Sequence, residues 1–245
     1  MAGPGCKFEF STKLSLPKFL AVRRSLSPRQ EKLVNDIGQA SLLDLCLDEI
    51  PRSLVVWIIR HFKPQKNVVE FPDGSSFQLN SMCTHKVLGT PIGGRLIPNK
   101  CSDNFRLHIR ERTKCGGQTP SINELTELLK SDLDDEDFQR YWMMFTVTVL
   151  LCPTTYDCVS PEFLSACEGP PEGISSYDWS SVIFRKLSSS IDTFINNNFS
   201  GALCGCLLVP LVCSSSVWIG FVRHYHYGFK SSLTDYFVLF VCFCR

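Results

Sequence analysis

The sequence lacks the short motifs that identify the common catalytic and cofactor sites. It contains no G-x-S-x-G nucleophile turn, no H-E-x-x-H zinc-binding pair and no glycine-rich dinucleotide fingerprint. We therefore predict no catalytic residue and no cofactor. These absences favour a protein that binds a partner over an enzyme, while the question of catalysis stays open at this point.

An imbalance of charge is also missing. With 25 Lys and Arg against 24 Asp and Glu the net charge is +1, so the chain as a whole is not drawn to nucleic acid or anionic lipid. A local basic cluster lies near the start and consists of Lys7, Lys13, Lys18, Arg23, Arg24 and Arg29. Because residues 1–25 show no sustained period, we expect a flexible basic arm there, either a solvated tail or an arm that contacts phosphate.

A secretory signal and a C-x-x-C motif are absent as well. Residues 1–10 lack the apolar core of a signal peptide, and the 13 cysteines are odd in number and irregularly spaced. We therefore expect reduced, mostly buried thiols in an intracellular protein. The close-spaced pairs are Cys204 and Cys206, Cys242 and Cys244, and His224 and His226. Since these pairs lie in apolar surroundings, we predict no metal site.

A cysteine nucleophile would need a base beside it. His85 lies two residues from Cys83, and on a helix that spacing points the two side chains in different directions. We therefore predict a buried structural thiol at Cys83 and at Cys152.

What the sequence does have is a series of helix signals. Ser27 with Gln30 and Ser121 with Glu124 form capping boxes, and apolar residues recur every four positions from Asp178 to Asn196. A longer apolar helix follows the acidic run 132–137 and is stopped by Pro153. These signals predict a mainly α-helical fold of many helices.

One small β-hairpin interrupts the helices. Pro72-Asp73-Gly74 separates two short β-prone runs, and Asn80 or Ser81 can cap a short helix that ends at Gly89. The stretch Gly89–Leu96 lacks the Gly-Lys-Ser/Thr ending of a phosphate loop, so we interpret it as a structural turn. Three residues here are candidates for surface recognition, namely His85, Lys86 and Arg95.

Residues 95–120 are polar and rich in turn formers, which predicts a loop. Arg106, Arg110, Arg112 and Lys114 form a basic patch in this loop, and its three arginines complete the set of candidate recognition residues.

Four blocks of the sequence carry a family resemblance. They are SLSPRQEKLVNDIGQASLLDL from Ser25, FQLNSMCTHKVLGTPIGG from Phe77, LCPTTYDCVSPEFLSA from Leu151 and YDWSSVIFRKL from Tyr177. In content and order these blocks resemble the plant mobile domain-like proteins, which derive from transposable elements and include members labelled "aminotransferase-like". The resemblance covers about Ser25 to Leu208.

The resemblance implies a helical region without an established active site. No lysine lies in a recognisable pyridoxal-phosphate context, so the "aminotransferase-like" label finds no support in the residues. We predict a non-catalytic binding module of transposon origin, with protein, DNA or chromatin as partner and the nucleus as its location. In many grass members the matching region precedes a cysteine protease domain that deconjugates ubiquitin-like proteins. The accessory region of such a protease is therefore an alternative.

The end of the chain departs from the resemblance. No Asp, Glu, Lys or Arg occurs from Thr193 to Val222, so a membrane anchor through residues 201–222 is a second alternative. Because Asn, Ser, Gly and Pro dilute this stretch, we favour an atypical tail at 209–245 that arises from a gene model read through an intron. The predicted layout is an arm at 1–25, a helical region at 26–208 and this tail, with the helical region divided into 26–94 and 121–208 around the loop.

Overall fold

The computed structural model describes residues 10–113 and 119–214, and these residues are mainly helical. The α-helices are α1 (Leu16–Arg23), α2 (Pro28–Asp36), α3 (Ala40–Leu43), α4 (Arg52–Arg60), α5 (Ser81–Leu88), α6 (Asp103–Thr113), α7 (Ile122–Leu129), α8 (Asp135–Thr146), α9 (Pro161–Leu164) and α10 (Trp179–Asn196). The strands are β1 (Phe10–Ser11), β2 (Phe62–Lys63), β3 (Val68–Glu70), β4 (Ser76–Gln78) and β5 (Gly201–Ala202). The prediction of a mainly α fold with a minor β part is confirmed.

The predicted helix starts are formed by the expected hydrogen bonds. The Gln30 backbone N–H donates to Ser27 Oγ at 3.3 Å, and the Ser27 N–H donates to Gln30 Oε1 at 2.8 Å. Ser121 and Glu124 make the same reciprocal pair at 3.2 and 2.6 Å. Both capping boxes satisfy backbone donors that a helix start leaves open, which is why these positions could be read from the sequence.

One helix lies at the centre of the domain. Helix α8 continues into a π-helical turn, Val147–Leu151, and every residue from 141 to 153 is buried. Helices α2 and α7 pack against α8, while α1 packs against the π turn, where the Ser15 N–H donates to the Val149 carbonyl oxygen at 3.1 Å. The other elements thus enclose an apolar helix that cannot face water.

A buried amide fixes α8 to the chain segment before α3. Gln39 is 2% exposed, and its Oε1 accepts from Trp142 Nε1 at 2.8 Å and from Thr146 Oγ1 at 3.2 Å. Polar groups in an apolar core cost free energy unless they are paired. The Gln39 amide therefore offsets the cost of burying the Trp142 indole N–H and the Thr146 hydroxyl of α8.

The start of the domain differs from the arm expected there. Residues 10–25 contain β1 and α1, and Phe19 on α1 is 0% exposed. Strand β1 pairs in parallel with β5, with Phe10 opposite Gly201. Apolar contacts therefore order this stretch despite its dispersed basic residues, while residues 1–9 of the predicted arm lie outside the described ranges.

The hairpin is present and larger than expected. Strands β3 and β4 pair around Pro72–Gly74, with Val69 opposite Phe77, and β2 adds a third antiparallel strand beside β3. Asn80 Oδ1 then accepts from the Cys83 N–H at 3.0 Å at the start of α5, and Gly89 ends the helix with a φ of 65°. The turn, the cap and the terminating glycine all agree with the prediction.

The stretch expected to be a loop at 95–120 contains helix α6. Ile109 on this helix is 1% exposed and α6 packs against α7. A single deeply buried apolar residue among many polar ones gives too weak a period to predict the helix.

The chain beyond the predicted boundary at 208 still contributes to the core. Val209 and Leu211 are 0% and 1% exposed, and residues 208–214 are helical. In the part of the chain that the structure describes, no helix combines the length and the apolar character needed to span a bilayer. The remainder of the predicted tail, 215–245, lies outside the described residues.

Replacement of Gln39 tests the role of the buried amide. Gln39→Leu removes the acceptor of Trp142 and Thr146, and we expect a loss of about 2 kcal/mol in the free energy of unfolding because a buried donor is left unpaired. Urea denaturation measures the loss. The control is Gln78→Leu at an exposed strand position, where the change is expected to stay within about 0.5 kcal/mol; equal effects at both positions would refute the role.

Candidate interaction surface

Helix α10 presents one face to the core and one to solvent. Asp178 caps it by accepting from the Ser181 N–H at 3.1 Å. The inward residues Ile183, Leu187 and Ile191 are at most 1% exposed, which confirms the predicted stripe. The outward face carries exposed Arg185, Lys186 and Ser189, and this face is the candidate interaction surface.

The turn at 89–95 is fastened to the start of α10. Thr90 and Ser180 are both buried, and Ser180 Oγ donates to the Thr90 carbonyl oxygen at 2.7 Å. Gly94 passes so close that a Cβ atom would lie 2.2 Å from the Ser176 carbonyl oxygen. The interpretation of this stretch as a structural turn agrees with these contacts, since they make the turn part of the scaffold.

Arg95 makes further hydrogen bonds that attach the turn at 89–95 to the start of α10. Its backbone N–H donates to the Ser176 carbonyl oxygen at 2.8 Å, and its own carbonyl accepts from the Asp178 N–H at 2.9 Å. The guanidinium Nε donates to Ser176 Oγ at 3.0 Å, and Cζ lies 5.1 Å from the centre of the Tyr177 ring. These contacts direct the following residues, 96–99, along the outer side of α10.

A groove of about 410 Å3 separates residues 96–99 from α10. We call it the 96–99 groove. Its α10 side is formed by Val182, Arg185, Lys186 and Ser189, and Phe163 of α9 also lines it. Leu96 lines the groove and is 77% exposed. A ligand that covers this apolar side chain removes its surface from water, which is favourable in free energy.

A second groove of about 560 Å3 lies on the same helix. This 64–67 groove is bordered by Pro64, Gln65 and Asn67 of the β2–β3 connection and, on α10, by Ser188 and Asp192 among others. Arg185 and Ser189 line both grooves, so together the two form one continuous surface across α10.

The two basic side chains on this surface, Lys186 and Arg185, differ in whether a carboxylate pairs with them. Lys186 Nζ lies 2.7 Å from Glu162 Oε1 and is thereby neutralised locally. Arg185 uses only its Nε, which donates to the Ser181 carbonyl oxygen of the same helix at 3.4 Å. Among the described residues Arg185 has no carboxylate partner, so its guanidinium is available to a ligand.

The predicted recognition residues on α5 have different environments. His85 Nδ1 lies 2.7 Å from the Thr90 carbonyl oxygen, and since a carbonyl only accepts, Nδ1 carries the proton. His85 therefore helps to hold the 89–95 turn, while Lys86 is exposed on the next position.

The three predicted arginines on α6 are mostly engaged. Arg112 lies 2.7 Å from Asp137 and 4.0 Å from Asp134, and Arg106 contacts Asp103 at 3.9 Å. Arg106 Nε also donates to Cys101 Sγ at 3.3 Å, and this hydrogen bond raises the pKa of Arg106. Arg110 alone of the three is exposed with no partner in the described ranges.

The structure does not assemble the six predicted residues into one site. His85 and Arg95 both support the start of α10, whereas the arginines lie on α6 beside α7. Sequence reasoning missed Leu96 and Arg185. The signal for Leu96 was an apolar run, Leu96-Ile97-Pro98, inside an otherwise polar stretch, and Arg185 lies opposite the apolar stripe of its helix.

The buried thiols are poor nucleophiles. Burial raises the pKa of Cys152 well above its ordinary value and raises that of Cys206 and of Cys167 to about 12. A thiol attacks as its thiolate, so Cys152 is structural, as expected, whereas Cys83 is half-buried and the prediction of a buried thiol there is wrong. Within 10–113 and 119–214 no group of three or more His, Cys, Asp or Glu side chains is arranged to hold a metal ion, and the pairs at 224/226 and 242/244 fall outside these ranges.

Comparison with known proteins gives one family. The model of a domain of unknown function, DUF8566, matches residues 12–211. Neither the curated proteins nor the solved structures contain a significant match to the chain.

Substitution of Gly94 tests the attachment of the turn to α10. In Gly94→Ala the new methyl group meets the Ser176 carbonyl oxygen at 2.2 Å, and we expect a loss of about 2 kcal/mol because the backbone must move apart. The control is Gly169→Ala, where no atom lies within 4 Å of the added Cβ. Thermal denaturation compares the two variants, and a Gly94→Ala protein as stable as the Gly169→Ala protein would contradict the close approach.

Proposed function

Because the chain belongs to the DUF8566 family of unknown function, we propose its role from the surface of α10: a non-catalytic module that binds a peptide segment of a partner protein. The segment lies across the 96–99 groove and the 64–67 groove, with an apolar side chain against Leu96 and a carboxylate on Arg185. The observation that carries the proposal is Arg185, which lines both grooves and has no carboxylate partner in the part of the chain that the structure describes.

The shape and chemistry of the surface support a peptide. Residues 96–99 stand apart from α10 and leave an open channel, and Val182 and Phe163 give it an apolar floor. An exposed Leu96 beside a free guanidinium suits an apolar anchor next to an acidic residue, since arginine pairs with carboxylates through two parallel hydrogen bonds.

The ion pairs of the α6 arginines argue against nucleic acid as the principal partner. Binding to a phosphate backbone requires several free cations on one face. On α6 Arg112 and Arg106 already pair with Asp137 and Asp103, so that of the patch residues within the described ranges only Arg110 has no carboxylate partner. Protein is therefore the partner class that we favour over DNA.

The expected origin of the domain fits the same proposal. A transposon-derived, plant mobile domain-like protein that works as a nuclear interaction module, or as the accessory region of a cysteine protease, would use such a surface to recruit a protein. Both interpretations rest on the resemblance described from the sequence and remain proposals.

Selection of peptides from a random library tests the proposal. Peptides displayed on phage and selected on the full chain are expected to share an acidic residue close to Leu or an aromatic residue. For a selected peptide, Arg185→Glu should weaken binding at least about tenfold, equal to ~1.4 kcal/mol, because a carboxylate then faces a carboxylate. Leu96→Asp should weaken it similarly.

The matched control is Arg110→Glu, which makes the same charge change at a residue outside both grooves. This variant should bind the peptide as the parent chain does. Failure to select any peptide, or loss of binding with Arg110→Glu and not with Arg185→Glu, would overturn the proposal. Salt-dependent binding to duplex DNA that Arg110→Glu abolishes would instead support nucleic acid as partner.

A further inference from the structure

The 96–99 groove contains a negative charge as well as a positive one. Glu162, the second residue of α9, lines this groove together with Arg185. Arg185 also borders the 64–67 groove, whereas none of the described residues that border the 64–67 groove belongs to α9. The interaction surface therefore has its positive charge on α10, where both grooves are reached, and a carboxylate on the α9 side of the 96–99 groove.

The Glu162 carboxylate keeps one oxygen for a further donor. Its Oε1 lies 2.7 Å from Lys186 Nζ and accepts from the Ser160 hydroxyl at 3.0 Å. Within the described ranges Oε2 has neither a hydrogen-bond donor nor an ion-pair partner. Because both oxygens of an ionised carboxylate accept hydrogen bonds, Oε2 can take a donor from a ligand while Lys186 stays in place.

Solvent exposure makes this carboxylate accessible to a ligand. The side chains of Glu162 and Lys186 are 42% and 46% exposed, and an ion pair at such exposure contributes at most about 1 kcal/mol. The next residue, Phe163, is 2% exposed and thus anchors α9 in the core. The carboxylate is therefore held at the groove by a buried neighbour, while its own ion pair opposes an incoming charge only weakly.

We propose that Glu162 selects the ligand of this surface: the bound peptide carries a basic residue that pairs with Glu162 in addition to the acidic residue that pairs with Arg185. This inference rests on the peptide-binding function proposed above and specifies its ligand as dipolar. The acid of the peptide lies over α10, and its base lies on the α9 side of the 96–99 groove.

Charge complementarity favours a base over a second acid at this position. A second acidic residue would have to draw Lys186 away from Glu162, and it would then lie beside a carboxylate that Ser160 still holds. A basic residue requires no such exchange, because Oε2 is open to it. Repulsion between like charges thus excludes purely acidic peptides, which is a common source of specificity at interfaces.

Calorimetric titration of synthetic peptides, selected from a random library on the full chain, tests the role of Glu162. We expect the selected peptides to contain a Lys or Arg besides the acidic residue. Replacement of that basic residue with Gln should weaken binding to the parent chain by about threefold to fivefold, the effect of one exposed charge pair. The same replacement should leave binding to the Glu162→Gln variant unchanged, because the pair is already absent there.

Charge reversal is a second measurement, and an equivalent ion pair elsewhere is its control. Peptides selected on Glu162→Lys should carry an acid where the parent selects a base, and they should still require Arg185. The control is Glu127→Gln, which removes another exposed glutamate that pairs with a lysine, Lys130 at 2.9 Å, outside both grooves. This variant should bind the selected peptides as the parent chain does.

The outcomes separate this inference from the proposed function. Peptides that lose binding in Arg185→Glu but carry no basic residue, or that bind Glu162→Gln as tightly as the parent, would overturn the role of Glu162 and leave the peptide-binding function intact. Selection of no peptide, or binding that neither Arg185→Glu nor Glu162→Gln weakens, would overturn both.

Discussion

The burial of α8 and its π turn is the constraint on which the rest of the domain depends. Residues 141–153 are buried without a break, so elements must cover this segment on every side. Helices α1, α2 and α7 supply much of that cover, and Gln39 accepts hydrogen bonds from the Trp142 indole N–H and the Thr146 hydroxyl that α8 brings inward. A core built this way leaves α10 at the edge of the domain, with an inner apolar stripe and a polar outer face.

The proposed function depends on that position at the edge. The turn at 89–95 is attached to the start of α10 through Thr90, Gly94 and Arg95, and this attachment holds Leu96 in the lining of the groove that Arg185 also lines. Rigid attachment of a short exposed segment lowers the entropy that a ligand must overcome on binding. The residues of the family-like block around His85 thus act mainly as scaffold, and the surface suited to recognition begins just after them.

Local signals made much of the fold predictable. Ser27, Ser121, Asn80 and Gly89 act through hydrogen bonds or backbone angles within a few residues, so their effect is visible in the sequence itself. Helices α1 and α6 were missed because their order comes from distant contacts, such as those of Phe19 with Trp142. The groove could not be predicted for the same reason, since it joins residues 96–99 to Arg185 across some ninety positions.

Hydrogen–deuterium exchange on the full chain, with and without a selected acidic-apolar peptide, tests the central claim that the outer face of α10 is the recognition surface. The account predicts that bound peptide slows exchange at residues 64–67, 96–99 and the backbone of α10 around Arg185, and leaves α6 unchanged. Slower exchange confined to α6, around Arg106, Arg110 and Arg112, with none beside α10, would contradict it.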